Sequence, residues 1–206
     1  MLVIINNNMG NIMSVANAFK MLQVEYKISN KAKDIVEATS LIFPGVGAFP
    51  KAMENLYKHS LVDLLKEKIL INGTPFLGIC LGMQLLFEES EEQKRTEGLK
   101  IFNGKVKKIE SSSKLKVPHV GWNTIQLTKD TPLLEGIDKS AKFYYDHSYY
   151  ACQSTNEHFC KLKYGANMTV GINRKNIFGV QFHPEKSQRN GLKLLRNFVN
   201  ISMKEN

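Results

Sequence analysis

Residues 78–82 read Gly-Ile-Cys-Leu-Gly and run out of an apolar segment, Phe76–Ile79, into helix-forming sequence. A nucleophile on a sharp strand-to-helix turn needs small neighbours, because its backbone is strained and its side chain must stand clear of the sheet. Gly78 and Gly82, two residues before and two after Cys80, supply that room. The thiolate is the reactive form of cysteine, and a helix starting just beyond it favours negative charge. The N–H of Leu81, the next residue, is placed to donate to an oxyanion. The same five residues also fit a buried structural cysteine between two packing glycines, so Cys80 needs a base before it has a role.

A cysteine nucleophile needs a base, and the base needs a group to orient it. Of the five histidines, His59, His119, His147, His158 and His183, the last is set apart by its surroundings, Gly179-Val180-Gln181-Phe182-His183-Pro184-Glu185. It ends an apolar strand-like run, the edge of a sheet where ligands gather in α/β folds. Pro184 biases His183 to extended backbone. Residues i and i+2 of an extended segment share a face, which brings the Glu185 carboxylate within reach of the imidazole. That is the orienting role of a triad carboxylate. A third element, Pro44-Gly45-Val46-Gly47, follows the apolar run Leu41–Phe43. Its backbone N–H groups can turn toward an anion, to hold a phosphate or complete an oxyanion hole, or it can be an ordinary turn.

The elements that must position these residues are legible in hydrophobic period. Leu2–Ile5, Val24–Ile28, Leu41–Phe43 and Phe76–Ile79 read as buried strands. Between them, Ile12, Val15, Phe19 and Leu22 fall at helical spacing. So do Leu61, Leu64, Leu65 and Ile69, closed by Asn72-Gly73, and a helix is expected over about Met83–Glu88. Beyond residue 100 the chain turns strand-rich: Gly104–Ile109, His119–Leu127, Lys142–Tyr150, His158–Tyr164, Thr169–Ile172 and Ile177–Phe182. A final amphipathic helix carries Leu192, Leu195 and Val199. Strand–helix alternation predicts one α/β domain over residues 1–206, with an open, mixed, mostly parallel sheet flanked by helices. The polar stretch Glu88–Glu97 reads as a solvated helix end or loop without chemistry.

Composition excludes other classes. A chain of 206 residues with 14 Gly, 6 Pro and 43% hydrophobic residues is neither disordered nor collagen-like. Three cysteines without a CxxC pair predict no disulfide framework and no zinc ribbon. The N-terminus lacks a basic region and cleavage site, and the longest apolar stretch, Pro75–Phe87, is shorter than the ~18–20 residues of a membrane span. A cytoplasmic protein is expected. The net charge of +9 is scattered, with no aromatic-interleaved basic platform, so a solvated basic surface or a docking patch is favoured over nucleic-acid binding.

Taken together, Gly78–Gln84, His183–Glu185 and Pro44–Gly47 resemble the triad-type (class I) glutamine amidotransferases. Across nearly the whole chain, Met9-Gly10-Asn11, PGVGAF at 44–49, GICLGMQLLF at 78–87, VPHVGWN at 117–123, HSYY at 147–150 and GVQFHPEKSQ at 179–188 are similar to the glutaminase subunits of imidazole glycerol phosphate synthase. The resemblance implies a Cys80–His183–Glu185 triad that hydrolyses glutamine through a glutamyl thioester. It implies an oxyanion hole from the backbone of Val46, Gly47 and Leu81, with substrate held by Gly45, Gln84, His147, Ser148 and Tyr149. No cofactor and no metal are implied. Ammonia would pass to a separate (β/α)8-barrel cyclase, in a heterodimer of histidine biosynthesis, with Asn11, Trp122, Tyr144 and Lys186 on the docking face. Asn6-Asn7-Asn8 stands where the family has an Asp-Tyr-Gly-type turn. Alternatives are a paralogue feeding another synthase, such as one of amidino-sugar formation, a catalytically silent regulatory subunit, or a cysteine-elbow enzyme acting on small carbonyls or peptides.

Overall fold

A computed structural model describes residues 1–9, 12–113, 115–153 and 156–204. Gly10 and Asn11, and with them one residue expected at the docking face, lie outside the described residues. The first half alternates strand and helix: β1 (Leu2–Ile5), α1 (Ile12–Met21), β2 (Tyr26–Ser29), α2 (Ala32–Val36), β3 (Ser40–Phe43), α3 (Phe49–Lys58), α4 (Leu61–Lys66) with a π-helical continuation Glu67–Ile71, β4 (Phe76–Ile79) and α5 (Leu81–Gln84). The second half is mostly strand: β5 (Phe87–Ser90), β6 (Thr96–Glu97), β7 (Phe102–Lys108), β8 (His119–Thr124), β9 (Gln126–Leu127), β10 (Lys142–His147), β11 (Tyr149–Gln153), β12 (His158–Tyr164), β13 (Ala166–Arg174) and β14 (Ile177–Val180), closed by α6 (Gln188–Lys204).

The main sheet runs β2-β1-β3-β4-β14-β13-β11-β7-β5-β6, with β12 against β13 and β9 against β12. Its first five strands are all parallel, and the mixed remainder begins where β13 pairs antiparallel with β14. Side-chain alternation assigns the two faces. Leu2, Ile4, Ile42, Leu77 and Ile79 join Val15 and Phe19 of α1 and Leu194, Leu195 and Phe198 of α6 in one core. Val3, Ile5, Leu41, Phe43 and Phe76 pack with Phe49, Met53 and Leu56 of α3 and Leu61 and Leu65 of α4 in the other. Each such fully buried side chain contributes roughly 1.5–3 kcal/mol of transfer free energy. The α/β architecture is therefore the one expected from the hydrophobic period.

Three local expectations are corrected. The helix after Cys80 is one turn, Leu81–Gln84, and not Met83–Glu88. Leu85, Leu86 and Phe87 are all buried, and the chain turns directly into β5, which pairs parallel with β7. The stretch Glu88–Glu97 is an ordered edge hairpin, β5 with β6. Its carboxylates find distant partners: Glu88 accepts from the Gly104 N–H, and Glu89 pairs with Arg95 and Lys105, each at 2.6 Å. Third, Lys142–Tyr150 is two strands broken at Ser148. β10 pairs with β8 in a separate two-stranded ladder, and β11 joins the main sheet. Among the described residues no helix is long and apolar enough to cross a membrane.

Candidate active site

Three neighbouring parallel strands deliver the chemistry to one edge. β3 runs into Pro44–Gly47, β4 into Cys80, and β14 into Gln181–His183, all at carboxyl ends, where α/β sheets open a crevice. The β4–β14 register sets Ile79 beside Val180, and the Cys80 N–H donates to the Val180 carbonyl at 2.7 Å. Nucleophile and base thus emerge side by side although about a hundred residues separate them in sequence.

Cys80 has φ 53° and ψ −108°, a left-handed conformation that costs a non-glycine residue on the order of 1–3 kcal/mol. Its two glycines hold that elbow in place. A Cβ on Gly78 would lie 2.5 Å from the Gly82 carbonyl oxygen, and one on Gly82 would overlap the carbonyl oxygen of Phe43. Because α5 is a single turn, the helix dipole expected to favour the thiolate is small. The compensating charge is His183.

Nδ1 of His183 lies 2.8 Å from Oε1 of Glu185, and both side chains are almost fully buried. Burial alone lowers the imidazole pKa, but the Cys80 sulfur and the Glu185 carboxylate outweigh it and raise it to about 10. The His183 imidazole is therefore held protonated at neutral pH. Ser187 secures the backbone: its hydroxyl donates to the His183 carbonyl at 2.6 Å and accepts from the Tyr144 N–H at 2.9 Å.

In front of Cys80 is a cavity of about 420 Å³ lined by Val46, Gly47, Leu81, Gln84, His147, Ser148 and Tyr149, all singled out from sequence. The expected oxyanion donor is occupied. Leu81 N–H donates to the Gly45 carbonyl at 3.3 Å, so Gly45 turns its oxygen toward the elbow and does not line the cavity. Gln84 is committed to protein: Nε2 donates to the Tyr149 carbonyl at 2.9 Å and to Oε1 of Gln181 at 3.1 Å. His183 and Glu185 are not in the lining.

Sequence reasoning missed other residues of the site. Gln181, fully buried, places Nε2 3.5 Å from Cys80 Sγ; a glutamine inside an apolar strand was the available signal. Glu92 and Asp146 line the cavity. Glu92 comes from the stretch assigned no chemistry, accepts the Phe49 N–H at 2.8 Å, and has its pKa raised by burial. Trp122, Tyr144 and Lys186 cluster beside the triad. The Trp122 and Tyr144 rings meet edge-on at 5.9 Å, the Lys186 ammonium lies 5.4 Å from the Tyr144 ring centroid, and Lys186 is 3.8 Å from Asp146. The unusual Asn7 is used structurally: its amide donates to the Ala52 carbonyl and its own carbonyl accepts from Asn55, tying the turn to α3.

Known proteins place this geometry. The sequence model of the family "Glutamine amidotransferase class-I" matches residues 3–201. An imidazole glycerol phosphate synthase subunit HisH of Caldanaerobacter subterraneus subsp. tengcongensis is 46% identical, covering 96% of this chain and 97% of that protein. HisH 1 of Campylobacter jejuni is 42% identical over 98% of this chain and all of its own length, and HisH of Bacillus cereus is 45% identical over 98% and 95%. Two solved structures share the fold at low identity. A glutamine amidotransferase, 17% identical, has TM-score 0.76 and covers 98% of each chain. Another from Thermotoga maritima, 16% identical, has TM-score 0.65, covering 99% of this chain and 84% of its own. With its elbow cysteine, buried His-Glu pair and full-length match to HisH subunits, this chain belongs to the class-I glutamine amidotransferase family.

Proposed function

We propose that the chain is the glutamine-hydrolysing subunit of an imidazole glycerol phosphate synthase, acting over residues 1–206 as one amidotransferase domain. The observation that carries this is the buried His183–Glu185 pair emerging beside the Cys80 elbow, with Cys80 facing a cavity walled by Gln84 and residues 147–149. The Cys80 thiolate attacks the side-chain carbonyl carbon of glutamine. The His183 imidazolium gives its proton to the departing amine, releasing ammonia and leaving a glutamyl thioester. Water then adds to the thioester with His183 as base, and the acyl C–S bond breaks to release glutamate and return the Cys80 thiolate. The N–H groups of Leu81 and of Val46 or Gly47 receive the oxyanion once the Gly45 carbonyl turns away. Glu92 supplies negative charge facing the cavity, complementary to the substrate ammonium.

Ammonia then serves a (β/α)8-barrel cyclase bound across Trp122, Tyr144 and Lys186, in a cytoplasmic heterodimer of histidine biosynthesis. The support for partner and pathway is the similarity to HisH subunits over nearly the full chain. Reconstitution tests it. Glutamine-dependent formation of imidazole glycerol phosphate with the cyclase is the expected result. Glutaminase activity that responds to a different synthase and not to the cyclase overturns the pathway.

A further inference from the structure

A chain of side chains, half-buried at Asn123 and buried at His119 and His147, runs from strand β8 to the cavity wall, and the hydrolysis as described does not use it. Nδ2 of Asn123 lies 2.8 Å from Nε2 of His119, and Nδ1 of His119 lies 3.0 Å from Nε2 of His147. Nδ1 of His147 in turn lies 2.8 Å from the carbonyl oxygen of Tyr149. That carbonyl can only accept, so His147 carries its proton on Nδ1 and, while neutral, presents a bare Nε2. His119 must then carry its proton on Nδ1 too, and its Nε2 accepts from Asn123. Each link dictates the next, and all donors point one way.

A second proton on His147 would set two donors face to face, and one on His119 would force the Asn123 amide to turn over. Burial prevents it, lowering His147 to about 3 and His119 to about 4. Stacking also holds the His119 ring, with the Tyr164 centroid at 3.9 Å and the Tyr145 centroid at 4.8 Å. The Tyr149 carbonyl takes its second bond from Gln84, whose amide continues through Gln181 to the Cys80 sulfur. It is the junction between the two systems.

Building on the glutaminase reading, we propose that His119 and Asn123 are positioning residues: the one-way Asn123–His119–His147 chain fixes the Tyr149 carbonyl, and through it both the 147–149 wall that receives glutamine and the Gln84–Gln181 link to Cys80. Loosening a wall that holds substrate and transition state alike raises KM more than it lowers kcat.

Two measurements on the chain bound to its cyclase test this. In imidazole ¹⁵N spectra, with signals assigned through His119→Gln and His147→Gln, both rings should be neutral Nδ1–H tautomers across about pH 5–8. An Nε2–H tautomer or a charged ring at either position overturns the proposal. In steady-state kinetics, His119→Phe keeps an aromatic ring for stacking but neither donates nor accepts. It should raise the KM for glutamine about tenfold, and Asn123→Ala about threefold, with kcat within about threefold. His119→Gln can accept from Asn123 and donate to His147, and should restore most of the loss. An unchanged KM, or a loss confined to kcat in proportion to the folded fraction, overturns it. If His119→Phe does not fold, Asn123→Ala and the wild-type spectra still decide. Absence of glutamine hydrolysis in the wild-type complex counts against the glutaminase reading and leaves the tautomers to be read independently.

Discussion

The backbone N–H of Leu81 donates to the carbonyl oxygen of Gly45 at 3.3 Å. In the oxyanion hole proposed above, an oxygen in that place opposes the transition state, and rotating the peptides of Pro44–Gly47 would free the Leu81 donor and bring a second N–H in. The isolated chain should therefore turn over glutamine very slowly, and the cyclase with its ligand should raise mainly kcat. Gly47, at φ +113°, is central to that rotation, and Gly47→Ala should cut the stimulated kcat about tenfold or more at similar KM. Full activity in the isolated chain, or stimulation confined to KM, would show that no such rotation limits turnover.

Cys80→Ala should abolish glutamine hydrolysis and leave ammonia-driven synthesis by the partner intact. An electrophilic glutamine analogue should label Cys80 ahead of Cys152, which is exposed but does not line the cavity, and of Cys160, whose thiol burial pushes well above its usual range. Peptide mapping that finds equal labelling of all three removes Cys80 from its role.

His183→Ala removes the proton carrier and Glu185→Ala only its orienter. The first should cost several orders of magnitude in kcat and the second roughly tenfold to hundredfold less, following triad deletions in general. Single-turnover release of glutamate compares them directly; equal losses would give Glu185 a larger part than orientation.

Stability should depend on pH through the neutral histidine pair. His119 and His147 titrate near 4 and 3 when folded and near 6.5 when unfolded, so between these values the unfolded chain binds more protons. Unfolding free energy then falls as pH drops below about 6.5, with a slope approaching about 1.4 kcal/mol per pH unit for each ring. Denaturant titrations from pH 7 to 4.5 on wild type and His119→Gln check this; the variant should show the shallower slope.

Gly82→Ala should be among the most damaging single changes, because its Cβ would overlap the Phe43 carbonyl oxygen, a backbone atom that cannot swing aside. A loss of about 3 kcal/mol or more, or failure to fold, is expected in thermal unfolding.

What was legible in the sequence was local. The apolar runs of β1, β3 and β4, the glycines around Cys80 and the i, i+2 relation of His183 to Glu185 follow from period and steric room alone. What was not legible depends on partners far along the chain. Glu88–Glu97 reads as solvated until Gly104, Lys105 and Phe49 arrive to meet its carboxylates. Helix α3 carries Phe49, Ala52, Met53 and Leu56 at helical spacing, a stripe masked by the interleaved Pro50, Lys51 and Glu54. Nothing local gives Gln181 or His119 a role, and only Gln84, His147 and Asn123 give them purpose.

The position of β14 has a consequence for biosynthesis. It is inserted between β4 and β13, so the strand carrying Cys80 has an open edge on that side until residues 177–180 arrive. A ribosome making this chain therefore extrudes the nucleophile about a hundred residues before the base that activates it. Until β14 pairs with β4 the nascent chain carries Cys80 without His183 beside it, and the proposed triad is complete only with the last strand, just ahead of α6.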